Sequence, residues 1–273
     1  MGFEEGPFGL KFVKIEPCDV FLGEDRGAWV YASERPRHRV KLPQFLILES
    51  PITIAEYAQI LGEEATGNGL KDMITNDEID NVCKILSKHF DDEVRRPTQS
   101  EWEAARSQIK LPRGWTELLA DEATGNHRGA PLDGRPRIGD MIGPLSGHRA
   151  SQSAHPTREG VFACVTTPGD RPLPKVGFRI VVSPKREGSV PKVPDNANLL
   201  SNIKSEVFWT TILGIIPSFT IPILRGFNSY ALDGWANLLF GGLCAGFVTG
   251  AFWRPKRPTW ALDSNGEIIQ LKD

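Results

Sequence analysis

Arg95-Arg-Pro-Thr-Gln-Ser-Glu-Trp-Glu103 is the stretch from which the rest of the chain can be read. Thr98 and Glu101 have capping-box spacing, in which the hydroxyl and the carboxylate each satisfy a backbone donor that the first helical turn leaves orphaned. A helix is expected near 99–107, with Trp102 packed on its inner face and Glu103 and Arg106 tying loops together. The same pattern at Thr53-Ile-Ala-Glu56 and Thr75-Asn-Asp-Glu78 predicts helices near 54–62 and 76–89. In the second of these Ile79, Val82, Cys83 and Leu86 share a face, which makes Cys83 a core residue and not a reactive one. Around the helices lie short β-type runs, Gly9–Ile15, Arg39–Leu42, Phe45–Leu48, Phe162–Thr166 and Gly177–Val182, separated by Gly and Pro. Short strands and few helices in a Gly/Pro-rich remainder predict an irregular α+β domain.

The averages conceal a second part. The 273 residues carry 32 Lys+Arg against 34 Asp+Glu, a net charge of −2, so no global basic field recruits phosphates and nucleic acid is not an expected partner. Residues 206–253, however, hold only three charges, Glu206, Arg225 and Asp233. Within them Val207–Leu224 and Gly234–Trp253 are uncharged runs of 18 and 20 residues, against roughly 20 needed to cross a bilayer as a helix. They predict a transmembrane hairpin; the alternative is a buried helical hairpin of a soluble domain.

Trp209 and Trp253 are placed at one membrane face and Tyr230 and Trp235 at the other, as interfacial anchors. Lys192, Lys204, Arg254, Lys256 and Arg257 flank the pair while only Arg225 lies in its loop, so both termini and the large domain are expected in the cytoplasm and the spans in the cell inner membrane. The acidic start does not suit a signal peptide, and a reducing compartment suits four unpaired cysteines. Pro217 and Pro222 predict a bent first span. Gly242, Gly246 and Gly250 form a stripe for close helix approach, either against the first span or between chains. The expected organisation is a domain over 1–184, a linker over 185–205, the hairpin over 206–254 and a cytoplasmic tail over 255–273.

Several blocks in order carry a resemblance. Phe21-Leu-Gly23, Glu34-Arg-Pro36 with His38 and Val40, Phe45-Leu-Ile47, and Pro51-Ile-Thr53 with Glu56-Tyr57 resemble the opening of the formylglycine-generating-enzyme (sulfatase-modifying factor) family. Arg95–Glu103 is similar to that family's Arg-Leu-Pro-Thr-Glu-x-Glu-Trp-Glu signature, and Gly177-Phe-Arg-Ile-Val181 to its closing Gly-Phe-Arg motif. The resemblance spans about residues 8–184 and implies a C-type-lectin-like fold, with Thr98, Glu101, Trp102, Gly177, Phe178 and Arg179 as its structural signature. A shared fold establishes architecture better than activity.

The departures from the family bear on function. Oxidase members hold copper with paired cysteines before the closing motif, whereas here GHRASQSAHPTREGVFAC (147–164) offers Cys164 alone. The segment between the Trp102 helix and Gly114-Trp-Thr-Glu117 is shortened, so the family's calcium ligands have no counterpart. His148 and His155 with Asp140 have no convergent metal spacing. The run Glu34-Arg-Pro-Arg-His-Arg39 suggests a phosphate patch, but reads better as a solvated turn into a strand. No catalytic residue, metal or cofactor is expected.

The reading is thus a membrane-anchored, non-catalytic module for a protein or small-molecule ligand, with Trp115, Asp121, His148, Arg149, Ser151 and Arg158 as candidate ligand residues by fold analogy. Its specific form is a sensor or effector of a bacterial defence or stress system, self-associating through the Gly242, Gly246 and Gly250 hairpin. The alternative is a membrane-anchored formylglycine-type oxidase or another protein-modifying enzyme.

Overall fold

A computed structural model describes residues 2–139, 147–195, 199–226, 228–229 and 233–271. Tyr230 and Asp140, read as a membrane anchor and a possible metal ligand, lie outside the described residues. The three capping boxes form with both reciprocal bonds, starting α1 (Ile54–Leu61), α2 (Asn76–Leu86) and α3 (Gln99–Ala105).

The strands of the described residues make three sheets. The first joins β1 (Phe3–Glu5), β2 (Lys11–Ile15), β5 (Phe45–Leu48), β11 (Val181–Ser183) and β6 (Glu93–Arg95), in that order. Both of its faces are covered. Phe12, Leu48 and Val182 pack with Ile60, Ile79, Val82 and Leu86 from α1 and α2, while their chain neighbours Val13, Ile47 and Val181 pack with Trp102 and Ala105 of α3. A strand buried on both sides needs apolar residues on both faces, which the central β5 supplies as an unbroken apolar run, Phe45-Leu-Ile-Leu48.

The second sheet joins β10 (Val176–Gly177), β7 (Thr116–Glu122), β8 (His148–Ala154) and β9 (Phe162–Pro168). The expected Gly177–Val182 strand is therefore divided. Its start pairs in parallel with β7, its end pairs with β5 and β6 in the first sheet, and Arg179 lies in the crossing between them. There Arg179 is fully buried. Its Nε and Nη2 donate to the two Glu117 carboxylate oxygens at 2.5 and 2.6 Å, and its remaining donors reach Leu48 O at 3.0 Å and Lys110 O at 2.9 Å. Trp102 Nε1 donates to the same carboxylate at 3.3 Å.

The third sheet joins β3 (Cys18–Leu22) and β4 (His38–Leu42) to β12 (Thr259–Leu262) and β13 (Ile268–Leu271). This corrects the expected tail over 255–273, which returns to the domain as a β-hairpin beside β4. Arg39 Nη2 donates to Leu262 O at 3.0 Å, and Leu262 packs with Ala130, Leu132 and Val193. The 185–205 linker is also shorter than expected. Lys192 bridges Pro131, Val193 is buried, and helix begins at Leu199.

Among the described residues two helices are long and apolar enough to cross a membrane, α4 (Leu199–Leu224) and α5 (Trp235–Phe252). Only 17% and 11% of their most apolar windows are buried within the protein, so most of their apolar surface outside the contact between them is exposed. A π turn at Thr211–Ile215 precedes Pro217 in α4. Proline at 217 has no amide hydrogen for the Leu213 carbonyl and its ring crowds that group, so the helix widens, and Ile216 N reaches back five residues to Thr211 O. The Thr211, Ser218 and Thr220 hydroxyls donate to carbonyls of their own helix, at 2.7–2.8 Å.

The glycine stripe faces α4 of the same chain. A Cβ at Gly242 would lie 2.6 Å from Gly214 Cα, at Gly246 2.4 Å from Thr210 Cα, and at Gly250 2.7 Å from Glu206 Cα. Of the two expected uses the structure fills the intrachain one, leaving no room on this face for a second copy.

Removing the Glu117 carboxylate by Glu117→Ala strands a buried guanidinium and is expected to destabilise the domain by about 3–5 kcal/mol, read as a lowered denaturation midpoint of the full chain in detergent. Gly246→Leu forces α4 and α5 apart; an engineered disulfide between facing positions of the two helices should then form slowly or not at all.

Candidate functional site

The site grows from the start of α3. Gln99 N, an amide of the first turn without a helical partner, donates to Asp121 Oδ2 on β7 at 2.7 Å, and Arg137 N donates to Asp121 Oδ1 at 2.8 Å. Asp121 forms part of the lining of a cavity of about 780 Å³ bounded by β3, β4, the first turn of α3 and the β7–β9 sheet. Its walls carry Glu34, His38, Glu103, Arg106, His127 and Cys164 beside apolar Leu22, Val40 and Phe162.

Burial pushes Asp121 above the ordinary carboxylate range, although the Arg137 and Gln99 amides pull the other way. His38 and His127 stack edge to face, with ring centroids 5.1 Å apart at 88°. His38 is 1% exposed, and its Nδ1 lies 3.2 Å from Pro36 O, which fixes that nitrogen as the donor. Burial lowers His38 to about 4; burial and then the neighbouring His38 lower His127 to about 3. Both rings are neutral at physiological pH. His127 Nδ1 is buried with no hydrogen-bond partner among the described residues, so the wall holds an unused polar atom.

Cys164 belongs to the exposed β9, yet the surroundings of its thiol and then the Asp121 charge raise it to about 11, keeping the sulfur protonated. Arg106 is already committed. It lies 4.8 Å from the Phe162 ring centroid, pairs with Glu103 at 2.9 Å and donates to Gly160 O at 3.1 Å. A protonated thiol, two neutral imidazoles and a shielded carboxylate provide donors and acceptors for a polar ligand without forming an activated nucleophile.

The six residues anticipated from fold analogy are not brought together. Asp121 lines this cavity. Arg158 is exposed at a second hollow of about 540 Å³, and its amide donates to His155 Nδ1 at 3.0 Å. Arg149 lies by a third hollow with Arg95, Arg96 and Arg186, its Nη1 donating to Ala120 O at 3.2 Å. Ser151 is fully buried in β8, and His148 starts that strand opposite Pro168. Trp115 backs Gly177, where a Cβ would meet its ring at 2.9 Å. No group of three His, Cys, Asp or Glu able to hold a metal occurs among the described residues.

Beside Asp121, which is among the expected ligand residues, the cavity brings together His38 and His127, which are not. His38 and His127 are 89 positions apart, and no local spacing announces their contact. The expected solvated turn at 34–39 is corrected for Arg35 and His38, which are 5% and 1% exposed.

By sequence, no family model matches the chain, and no curated protein matches it either. By structure it is similar to PvdO from Pseudomonas aeruginosa, at 15% identity and a TM-score of 0.51, over 66% of this chain and 97% of that one. It is also similar to Treponema denticola variable protein 1, at 17% identity and a TM-score of 0.45 over 64% and 95% of the two chains, and to CarF, at 14% and 0.39 over 65% and 100%. Likeness at this identity concerns the fold alone, and the PvdO match supports the formylglycine-generating-enzyme-type, C-type-lectin-like plan at that level.

The depressed histidines give the domain an acid limit. The unfolded chain takes up protons below about pH 6.5 that buried His38 refuses, so stability present above that pH is lost as pH falls toward 4, by about 2 kcal/mol at pH 5 from His38 alone. Denaturation midpoints at pH 7 and pH 5 should differ accordingly, and less so in His38→Gln.

Proposed function

We propose that the chain is a membrane-anchored, non-catalytic binding module. In this reading α4 and α5 cross the bilayer, the domain and both hairpin ends lie on the cytoplasmic side of the inner membrane, and the Asp121 cavity takes a small polar ligand or a polar peptide end. Glu206 pairs with Arg254, and Ser205 Oγ donates to Trp253 O at 3.3 Å, so the outer ends of the two helices meet beside the domain. The basic flanks of the hairpin support the cytoplasmic placement.

The observation that carries the proposal is a shared wall. Residues 23–38 contribute Gly23, Glu24, Ser33, Glu34 and His38 to the cavity and also seat the hairpin. Ala28 bridges Trp253, Arg257 N donates to Asp25 O at 3.2 Å, and His127 N donates to Arg35 O at 2.9 Å. A ligand against this wall presses on the segment that holds the membrane helices, which suits a sensor or effector. Association between copies would use the outer hairpin faces, where Phe240 and Phe247 are exposed, because α4 occupies the glycine face.

The paired-thiolate copper site of the oxidase alternative does not fit these residues. Cys164 is the cavity's single cysteine among its described lining residues; Cys83 is in the α2 core, Cys18 on β3 and Cys244 in α5.

Two measurements test the proposal. The full chain should resist alkaline extraction from membranes; release into the supernatant overturns the anchoring. In detergent, small-molecule fractions should include one that raises the denaturation midpoint, and Ala163→Trp, which fills the cavity from its exposed rim, should abolish that rise. Conversion of a cysteine peptide to an aldehyde by the copper-loaded protein, seen by mass spectrometry, overturns the non-catalytic reading.

A further inference from the structure

Where the domain meets the hairpin, backbone contacts bring together arginines from three separate parts of the chain: Gly27, which accepts from Arg35, lies against the Arg254 carbonyl, Arg257 N donates to Asp25 O, and His127 N, next to Arg128, donates to Arg35 O. Arg35 is 5% exposed, and its guanidinium donates to Tyr31 O at 3.2 Å and Gly27 O at 3.0 Å, with no carboxylate partner among the described residues. Arg257, half-buried, likewise has none, and only its amide is held, by Asp25 O. Arg254 pairs with Glu206, and Arg128 lies 3.8 Å from Asp195, which is 84% exposed. The other charges at the junction compensate one another: Lys256 pairs with Asp25 at 3.7 Å and Arg26 with Glu24 at 3.8 Å.

Burial and then the repulsion of Arg254 and Arg128 lower Arg35, and burial with Arg128, Arg35 and Arg254 lowers Arg257 to about 10. A withdrawn, like-charged group of guanidinium ions is unfavourable unless an anion joins it.

The surroundings indicate which anion. Trp29 and Val30, on a short helical turn beside the seat of the hairpin, are 64% and 58% exposed. The Ala28–Trp253 bridge sets them next to Trp253, itself 58% exposed and in edge contact with Phe252. Exposed Trp beside the end of a membrane helix is the arrangement of an interfacial anchor. A soluble anion has no use for that apolar rim, whereas a phospholipid presents its phosphate and acyl chains together.

We propose that Arg35, Arg128, Arg254 and Arg257 form a binding site for the phosphate of an anionic phospholipid headgroup, with Trp29, Val30 and Trp253 against its acyl chains. Guanidinium groups suit this role because their forked donors match phosphate oxygens, and basic pockets at the cytoplasmic ends of membrane helices are suited to anionic headgroups. The inference rests on the membrane reading of α4 and α5 and gives the hairpin a specific lipid partner. It also gives Arg35 a role that the solvated-turn reading of 34–39 did not contain.

The full chain, first verified to resist alkaline extraction, is reconstituted in nanodiscs of phosphatidylcholine with a minor fraction of phosphatidylglycerol. It is then released into detergent for native mass spectrometry. Wild type should retain phosphatidylglycerol over phosphatidylcholine, and Arg257→Gln should cut that retention by about tenfold, the scale of one lost charge-assisted contact. Arg257→Lys should keep an intermediate level. Trp29→Ala, outside the arginine group, should weaken retention of both lipids while leaving the preference for phosphatidylglycerol. Equal retention by wild type and Arg257→Gln overturns the site. Full displacement of phosphatidylglycerol by millimolar inorganic phosphate overturns the lipid assignment in favour of a soluble anion. A chain that fails the extraction step indicts the membrane reading instead, so the two failures are distinguishable.

Discussion

The buried pair of Glu117 and Arg179 is the constraint on which the domain depends. Neither charge can be left alone in the interior, so each fixes the position of the other to within hydrogen-bond distance. Glu117 sits on β7 of the second sheet, and Arg179 at the crossing into β11 of the first. Trp102 of α3 donates to the same carboxylate, and the remaining Arg179 donors close on Leu48 O and Glu49 O, at the end of β5 and just after it, and on Lys110 O before β7. Two sheets, one helix and two loops are thereby located by one bidentate contact. A packing contact alone would tolerate sliding; fixed donors and acceptors do not.

Glu101 repeats this logic beside it. Fully buried, it accepts from Thr98 N as the capping box requires and from Arg95 through two bonds, at 2.6 and 2.9 Å, which holds its carboxyl below the ordinary range despite burial. Arg95, Arg96 and Glu101 thus place their charges in the interior, while Glu103 faces the cavity. The cavity inherits what this arrangement leaves over: a first turn of α3 whose Gln99 amide turns to Asp121.

This division explains what the sequence made legible. Helices were readable because a capping box is local, three residues wide and chemically specific, and all three formed where Thr and Glu placed them. The β5 strand and the core faces of α2 were readable from apolar runs. The path of the chain after Trp253 was not, because a short strand such as Thr259–Leu262 owes its place to pairing with β4, more than 200 residues earlier. The cavity was the least legible part. Asp121 could be reached by analogy, but His38 meets His127 only through tertiary folding, and Ser151, equally polar in sequence, lies inside a strand. Burial, not residue type, separates a candidate ligand group from a structural one.

The seat of the hairpin shows why the cavity and the two apolar helices need not be separate functions. At Gly27 even a Cβ would overlap the Arg254 carbonyl, so the backbone of the 23–38 segment lies directly on the chain leaving α5. Seven residues on, Glu34 lines the cavity, and Arg35 O holds the amide of His127. Close-packed contacts have little room to absorb displacement. Under the binding-module reading, a shift at Glu34 or His127 is passed to Gly27 and Arg254, where a change in the angle of α5 costs less than overlap of two backbones. The absence of a side chain at Gly27 is what lets the segment serve both surfaces at once.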